Sequence, residues 1–170
     1  MEFFVGQQND LWTNDDYINQ FRKITTENII VMGRLTYESM PTKHLLNRIC
    51  VVITHYQRLY SRETLNNNVH YTSLEEAINN LQQLQKLYKC KIIIIGGATI
   101  YDHFLSYCTI LHKVKVINDK VLNDKVINDK VINDKLINDK FIITNEYFYQ
   151  ELSLKTYILK NQTVKTTRMF

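Results

Sequence analysis

A mainly parallel α/β sheet flanked by helices is what these 170 residues predict, and three observations lead there. Two apolar runs, Ile29 to Met32 and Ile92 to Ile95, are continuous rather than alternating, as expected of strands covered on both faces. Each run ends in glycine, Gly33 in the first and Gly96 with Gly97 in the second, at a point where a helix can begin. The intervening segments carry apolar residues at helical spacing, so strands and helices alternate. Only four glycines occur in the chain, and three of them occupy these two junctions.

Taken in order, Met1 to Val5 is strand-like and a polar loop runs from Gln7 to Trp12. Thr13 or Asn14 can cap a helix whose first turn holds Asp15 and Asp16, where the helix dipole favours negative charge. Tyr17, Ile18, Phe21 and Ile24 then fall three or four apart, so one face of that helix is buried. A strand over 28–32, a helix over 34–40 and a strand over 49–54 follow. Ser73 to Glu76 has capping-box spacing, and Leu74, Ala77, Ile78, Leu81, Leu84 and Leu87 repeat with helical period behind it. A strand over 91–95, a helix over 98–106 and a strand over 110–117 continue the alternation. The runs around 147–160 and 163–170 read as an antiparallel hairpin about Asn161 and Gln162 that closes the sheet.

Residues 116–140 break the pattern: Val116 to Lys120 is a pentapeptide, Val-Ile-Asn-Asp-Lys, that recurs with small changes to Lys140. A period of five turns by about 140° per copy around a helix and changes face with each copy on a strand, so no single stripe is buried. Each copy carries one Asp and one Lys, and the repeat adds no net charge. It reads as a loop insertion, mobile or folded into an irregular hairpin with Asn-Asp turns.

The length fits one domain, 1–170, with a substantial core. Lys and Arg number 21 against 17 Asp and Glu, for a net charge of +4, and no dense basic run with interleaved aromatics points to nucleic acid. That mild positive balance suits anionic small molecules. Three cysteines, Cys50, Cys90 and Cys108, are an odd number, two of them in or beside apolar runs, which suits reduced thiols in a cytoplasmic setting. They share no metal-ligand spacing with the five histidines. No apolar stretch is long enough for a membrane span or a signal peptide.

The junctions also carry chemistry. A glycine at the carboxyl end of a buried strand lets backbone N–H groups approach a ligand, and the helix start beyond it attracts an anion. Arg34 and Thr36 add a fixed charge and a hydroxyl at the first junction, a combination that suits a nucleotide phosphate.

Met32 to Pro41, Asn47 with Arg48 before the strand at 49–54, and Ile95 to Tyr101 together resemble the dihydrofolate reductase family in order and spacing. The segment from Gly6 through Leu11 and Trp12 to Phe21 and Thr25 extends the resemblance, which is close over about 1–115 and loose beyond. The resemblance implies that family's sheet with its C-terminal antiparallel hairpin, and reduction of 7,8-dihydrofolate to tetrahydrofolate by NADPH. It places Arg34, Leu35, Thr36, Thr54, His55, Gly96, Gly97, Ala98, Thr99, Ile100 and Tyr101 around the cofactor. Leu35 stands where a second cation or polar group often follows the arginine in the family. For the substrate it implies Arg48 against the glutamate carboxylate, and Ile18, Phe21, Met40, Leu45 and Ile95 as apolar walls; all five walls could equally be core.

The family's catalytic acid lies four residues before the phenylalanine of the first helix. Here that position is Tyr17, and Asp16 precedes it, a displacement of about 100° around the helix. Asp16 is the candidate acid, with a solvent-facing charge at the helix start as the alternative, and Trp12 is expected over the site entrance. The segment before Gly6 is short for the family: either Met1 to Val5 is the central first strand with a shortened loop behind it, or the chain begins within that loop. Losing a central strand would expose two ladder edges, which favours the first. Two other readings stand beside the reductase: a related pterin or ribityl-aminopyrimidine reductase, and a degenerate family member that binds a nucleotide or a partner without turnover. The expected partners are dihydrofolate and a thymidylate synthase as metabolic neighbour, with the protein itself a monomer in the cytoplasm.

Overall fold

The computed structural model describes residues 1–6, 14–56, 68–116, 141–148 and 152–160. Trp12, most of the pentapeptide repeat and the segment 163–170 lie outside the described residues. Among those described, eight strands form one sheet: β1 (Glu2–Gly6), β2 (Ile29–Gly33), β3 (Ile49–Ile53), β4 (Val69–Thr72), β5 (Ile92–Gly96), β6 (Ile110–Val116), β7 (Phe141–Phe148) and β8 (Leu152–Leu159). Their order is β4-β3-β2-β5-β1-β6-β8-β7. All pairs from β4 through β6 are parallel, and β8 lies antiparallel between β6 and β7. Four helices accompany the sheet: α1 (Asp15–Thr25), α2 (Arg34–Ser39), α3 (Ala77–Tyr88) and α4 (Ala98–Phe104).

The continuous apolar runs work as predicted because alternate residues feed two cores. Phe3, Val31 and Ile94 join Leu81, Ile100 and Phe104 on the face covered by α3 and α4. Phe4 and Ile93 face the other way, onto Tyr17 and Phe21 of α1. Met1 to Val5 is thus the central strand, seated between β5 and β6, with Phe3 and Phe4 both buried. Asn14 is the cap of α1: its side chain accepts from the Tyr17 amide at 2.9 Å.

Several expectations need correction. The segment expected as one strand over 147–160 holds the end of β7 and the whole of β8, an antiparallel pair running from Phe141 opposite Leu159 to Phe148 opposite Ser153; its expected partner, 163–170, lies outside the described residues. The chain therefore reverses once between Phe148 and Leu152, within the span expected as a single strand. β4 went unpredicted, since four residues at the sheet edge carry little pattern. Ser73 does accept from the Glu76 amide, at 3.3 Å, but regular helix begins only at Ala77. Leu87 is 70% exposed at the far end of α3, outside the buried face that the period assigned it. α2 stops at Ser39 because Met40 precedes Pro41, which forces an extended conformation and turns Met40 inward. No helix among the described residues is long and apolar enough to cross a membrane.

Candidate active site

The two glycine junctions, 63 residues apart in sequence, meet at the carboxyl ends of β2 and β5. A Cβ on Gly33 would lie 3.3 Å from Ile100, and one on Gly97 would lie 3.6 Å from the Thr36 hydroxyl. Gly96 adopts φ +121°, a conformation side chains resist, and a Cβ there would come within 3.2 Å of the Tyr101 ring. The Gly96–Gly97 peptide bond is cis.

Above these junctions opens a pocket of about 390 Å³ lined by Gly33, Arg34, Leu35, Thr36, Ile53, Thr54, His55, Tyr56, Gly97, Ala98, Thr99 and Ile100. Nine of the eleven residues that the sequence assigns to the cofactor are therefore brought together. The other two, Gly96 and Tyr101, stand behind it. Tyr101 is buried and its hydroxyl donates to the Phe4 carbonyl at 2.7 Å, so it braces β1 against α4, and its burial pushes its ionisation well up. Sequence reasoning missed Tyr56, whose amide donates to the Thr54 hydroxyl at 3.1 Å and which is 60% exposed at the pocket mouth.

The lining is mixed in a telling way. Three threonine hydroxyls and one guanidinium supply polar contacts, while Leu35, 71% exposed, and Tyr56 present apolar surface at the rim. Arg34 already has an anion: its Nη1 lies 2.7 and 2.9 Å from the two carboxylate oxygens of Glu38, one turn along α2.

On the opposite face of the sheet, Phe21, Met40, Leu45 and Ile95 gather with Phe4 and Tyr17 in one apolar cluster, so four of the five predicted walls are together. Ile18 is buried but stands outside that cluster. Tyr17, at the helix position where the family carries its acid, lies with its ring 5.6 Å from Phe4, and burial raises its ionisation. Asp16 sits in the first turn of α1, partly exposed, outside the cluster.

Arg48 is 5% exposed, which excludes an ordinary surface cation. Its Nε donates to the Thr25 hydroxyl at 2.8 Å, its Nη2 to the Thr26 hydroxyl at 3.2 Å, and its Nη1 to the Leu46 carbonyl. The Thr25 hydroxyl in turn donates to the Phe21 carbonyl at 2.6 Å, and the guanidinium stacks 5.1 Å from the Phe21 ring centre. No carboxylate pairs with Arg48 among the described residues. Burial, then the charges of Lys43, Arg22 and Arg48, hold the neighbouring His44 below the usual imidazole range. The corner where α1 meets β3 thus gathers Arg22, Lys43 and Arg48 around His44.

The dihydrofolate reductase family model matches residues 1–157. The chain belongs to the dihydrofolate reductase family. Among its relatives, the dihydrofolate reductase of Buchnera aphidicola subsp. Schizaphis graminum is 32% identical over 114 residues, 66% of this chain and 64% of that protein. The bifunctional dihydrofolate reductase-thymidylate synthase of Paramecium tetraurelia is 32% identical over 115 residues, covering 66% of this chain and 23% of that protein. That of Candida albicans, a dihydrofolate reductase, is 29% identical over 100 residues, 57% of this chain and 48% of it. The chain thus spans less than two thirds of these relatives' length. In fold it is similar to dihydrofolate reductase from Enterococcus faecalis complexed with NADP(H) and RAB-propyl, with a TM-score of 0.62 and 14% identity over 94% of this chain and 96% of that one.

Proposed function

We propose that this protein reduces 7,8-dihydrofolate to tetrahydrofolate with NADPH, as a monomeric cytoplasmic enzyme whose residues 1–170 form one domain. The observation that carries the reading is the pocket where both glycine junctions meet, with Arg34 and the Thr36, Thr54 and Thr99 hydroxyls around an opening large enough for part of a dinucleotide. When bound, NADPH supplies the hydride, and the protein supplies position, a dry cleft and a proton route.

In this reading Arg34 holds a phosphate through charge-assisted hydrogen bonds, with His55 beside it and the hydroxyls completing the cradle. The backbone at Gly96 and Gly97 comes close to the ligand because neither carries a side chain. The wall of Phe4, Phe21, Met40, Leu45 and Ile95 excludes water from the ring system. The cationic corner supports Arg48 as the seat of the substrate's carboxylate, since Thr25 and Thr26 fix the guanidinium and no acid among the described residues pairs with it. Asp16 holds the proton donated to the pterin. Reduced Cys50, Cys90 and Cys108 accord with a reducing compartment, and burial pushes the thiols of Cys50 and Cys108 up to about 11 and about 12. A thymidylate synthase reaction is the proposed source of the dihydrofolate.

The test is oxidation of NADPH by the purified protein, followed by absorbance with and without dihydrofolate. Substrate-dependent oxidation is expected. Tyr17 at the family's acid position favours a second reading, a family member that binds NADPH without turnover; tight NADPH binding with no oxidation in the presence of dihydrofolate is its signature.

A further inference from the structure

In the candidate nucleotide pocket, Arg34 is the single Lys or Arg among the described lining residues, and its guanidinium Nη1 sits between both oxygens of Glu38, at 2.9 and 2.7 Å. The pair is half-open to solvent, with side-chain exposures of 33% and 42%, so a ligand can reach it. We propose that Glu38 is an internal competitor for the cofactor's phosphate: it occupies the Arg34 guanidinium, and thereby holds down the protein's preference for a dinucleotide with a 2′-phosphate over one without it.

The inference rests on the dinucleotide reading of this pocket and adds what sets its selectivity. A phosphate monoester seeking Arg34 must displace the carboxylate or share the guanidinium with it, and at such range the two anions repel. A cofactor lacking that phosphate does not meet this competition. Besides Arg34, the described lining offers a phosphate His55, Tyr56 and the Thr36, Thr54 and Thr99 side chains, none of them a Lys or Arg. Glu38 acts through Arg34 and is a positioning residue. Its geometry fits the role: at i+4 on α2 it is one turn from Arg34, and exposed enough that its loss leaves the core untouched.

The experiment measures dissociation constants for NADPH and NADH by calorimetry on the wild type, Glu38→Gln, Arg34→Ala and the double variant. An exposed ion pair has the strength of a few-fold equilibrium change, so Glu38→Gln is expected to tighten NADPH by about 2- to 5-fold while NADH changes less than about 1.5-fold. In the Arg34→Ala background the selective gain should vanish, since the competition has lost its object. Selectivity that rises without Arg34, or equal tightening of both nucleotides, overturns the inference: the first denies that Glu38 acts through Arg34, the second means Arg34 meets a phosphate common to both. Raising salt to about 0.5 M should shrink any diffuse repulsion yet leave most of the contact-range difference. Failure of both nucleotides to bind the wild type is a separate result that sinks the dinucleotide reading itself.

Discussion

The two faces of the sheet hold their functional residues by different means. On the nucleotide side the geometry is set by backbone: strand ends, Gly33, Gly96 and Gly97, and the Thr54 amide donating to the Thr72 carbonyl at 3.0 Å. On the α1 side it is set by the rotation of side chains about one helix, where Tyr17 enters the apolar cluster with Phe4 and Phe21 while Asp16 remains partly exposed. A backbone cradle tolerates many side chains, whereas a helix offers one rotational setting per residue. A displacement of one position leaves the first intact and rewrites the second.

Four measurements can break or sharpen that contrast. The largest expected effect is on the helix side: if Asp16 carries the proton, Asp16→Asn cuts dihydrofolate turnover by about 10² or more and leaves NADPH affinity unchanged. Loss of no more than about 1 kcal/mol of stability with turnover intact would assign Asp16 to the helix dipole instead. On the backbone side Arg34→Ala should weaken NADPH by about 1.5 to 3 kcal/mol, the range of a charged hydrogen bond, in a titration of bound-cofactor fluorescence.

Gly96→Ala tests the cradle without removing a polar group. The φ of +121° and the Tyr101 ring 3.2 Å from the added Cβ predict a loss of about 1 to 3 kcal/mol in chemical denaturation. An unchanged midpoint would mean that the strand end relaxes easily.

The smallest effect lies at the opposite end of the sheet. Burial alone would raise the Glu2 carboxyl, but hydrogen bonds from His112 at 3.0 Å and Lys91 at 2.9 Å outweigh it and hold Glu2 below its ordinary value. A depressed carboxyl contributes stability above its unfolded value, near 4.5, and loses that contribution as pH falls through the lower folded value. Glu2→Gln should therefore flatten the acid limb of a stability-versus-pH curve by about 1 kcal/mol or less. A limb as steep as that of the wild type would assign acid sensitivity to other carboxylates.

The same contrast governs what could be read before any coordinates. Apolar runs ending in glycine announce buried strands with open ends, so β2, β5 and most of the lining of the proposed nucleotide pocket were legible from residues 29–37 and 91–101. Tyr101 was assigned to the cofactor because it follows the motif in sequence, yet its ring turns back under Gly96 toward Phe4. Arg48 was legible as a special cation, but its support by Thr25 and Thr26 was not, since that contact joins α1 to β3 across more than 20 residues. The Arg34–Glu38 pair has the i, i+4 spacing of a helix ion pair, and only its position at the rim of a pocket gives it significance. The end of β7 and all of β8 were read as one strand because an apolar pattern cannot distinguish one long strand from two consecutive ones.

One consequence of the sheet order concerns inheritance. β2, β3 and β5, which carry the proposed nucleotide pocket, lie on one side of β1, whereas β6, β8 and β7 lie on the other. The pentapeptide copies fall in sequence between β6 and β7, two strands that are not neighbours in the sheet. Replication slippage that adds or removes five-residue units there changes the length of a connection without shifting the register of any strand that shapes the pocket. The sheet in effect gives the gene a place where its length can drift while selection continues to act on the pocket.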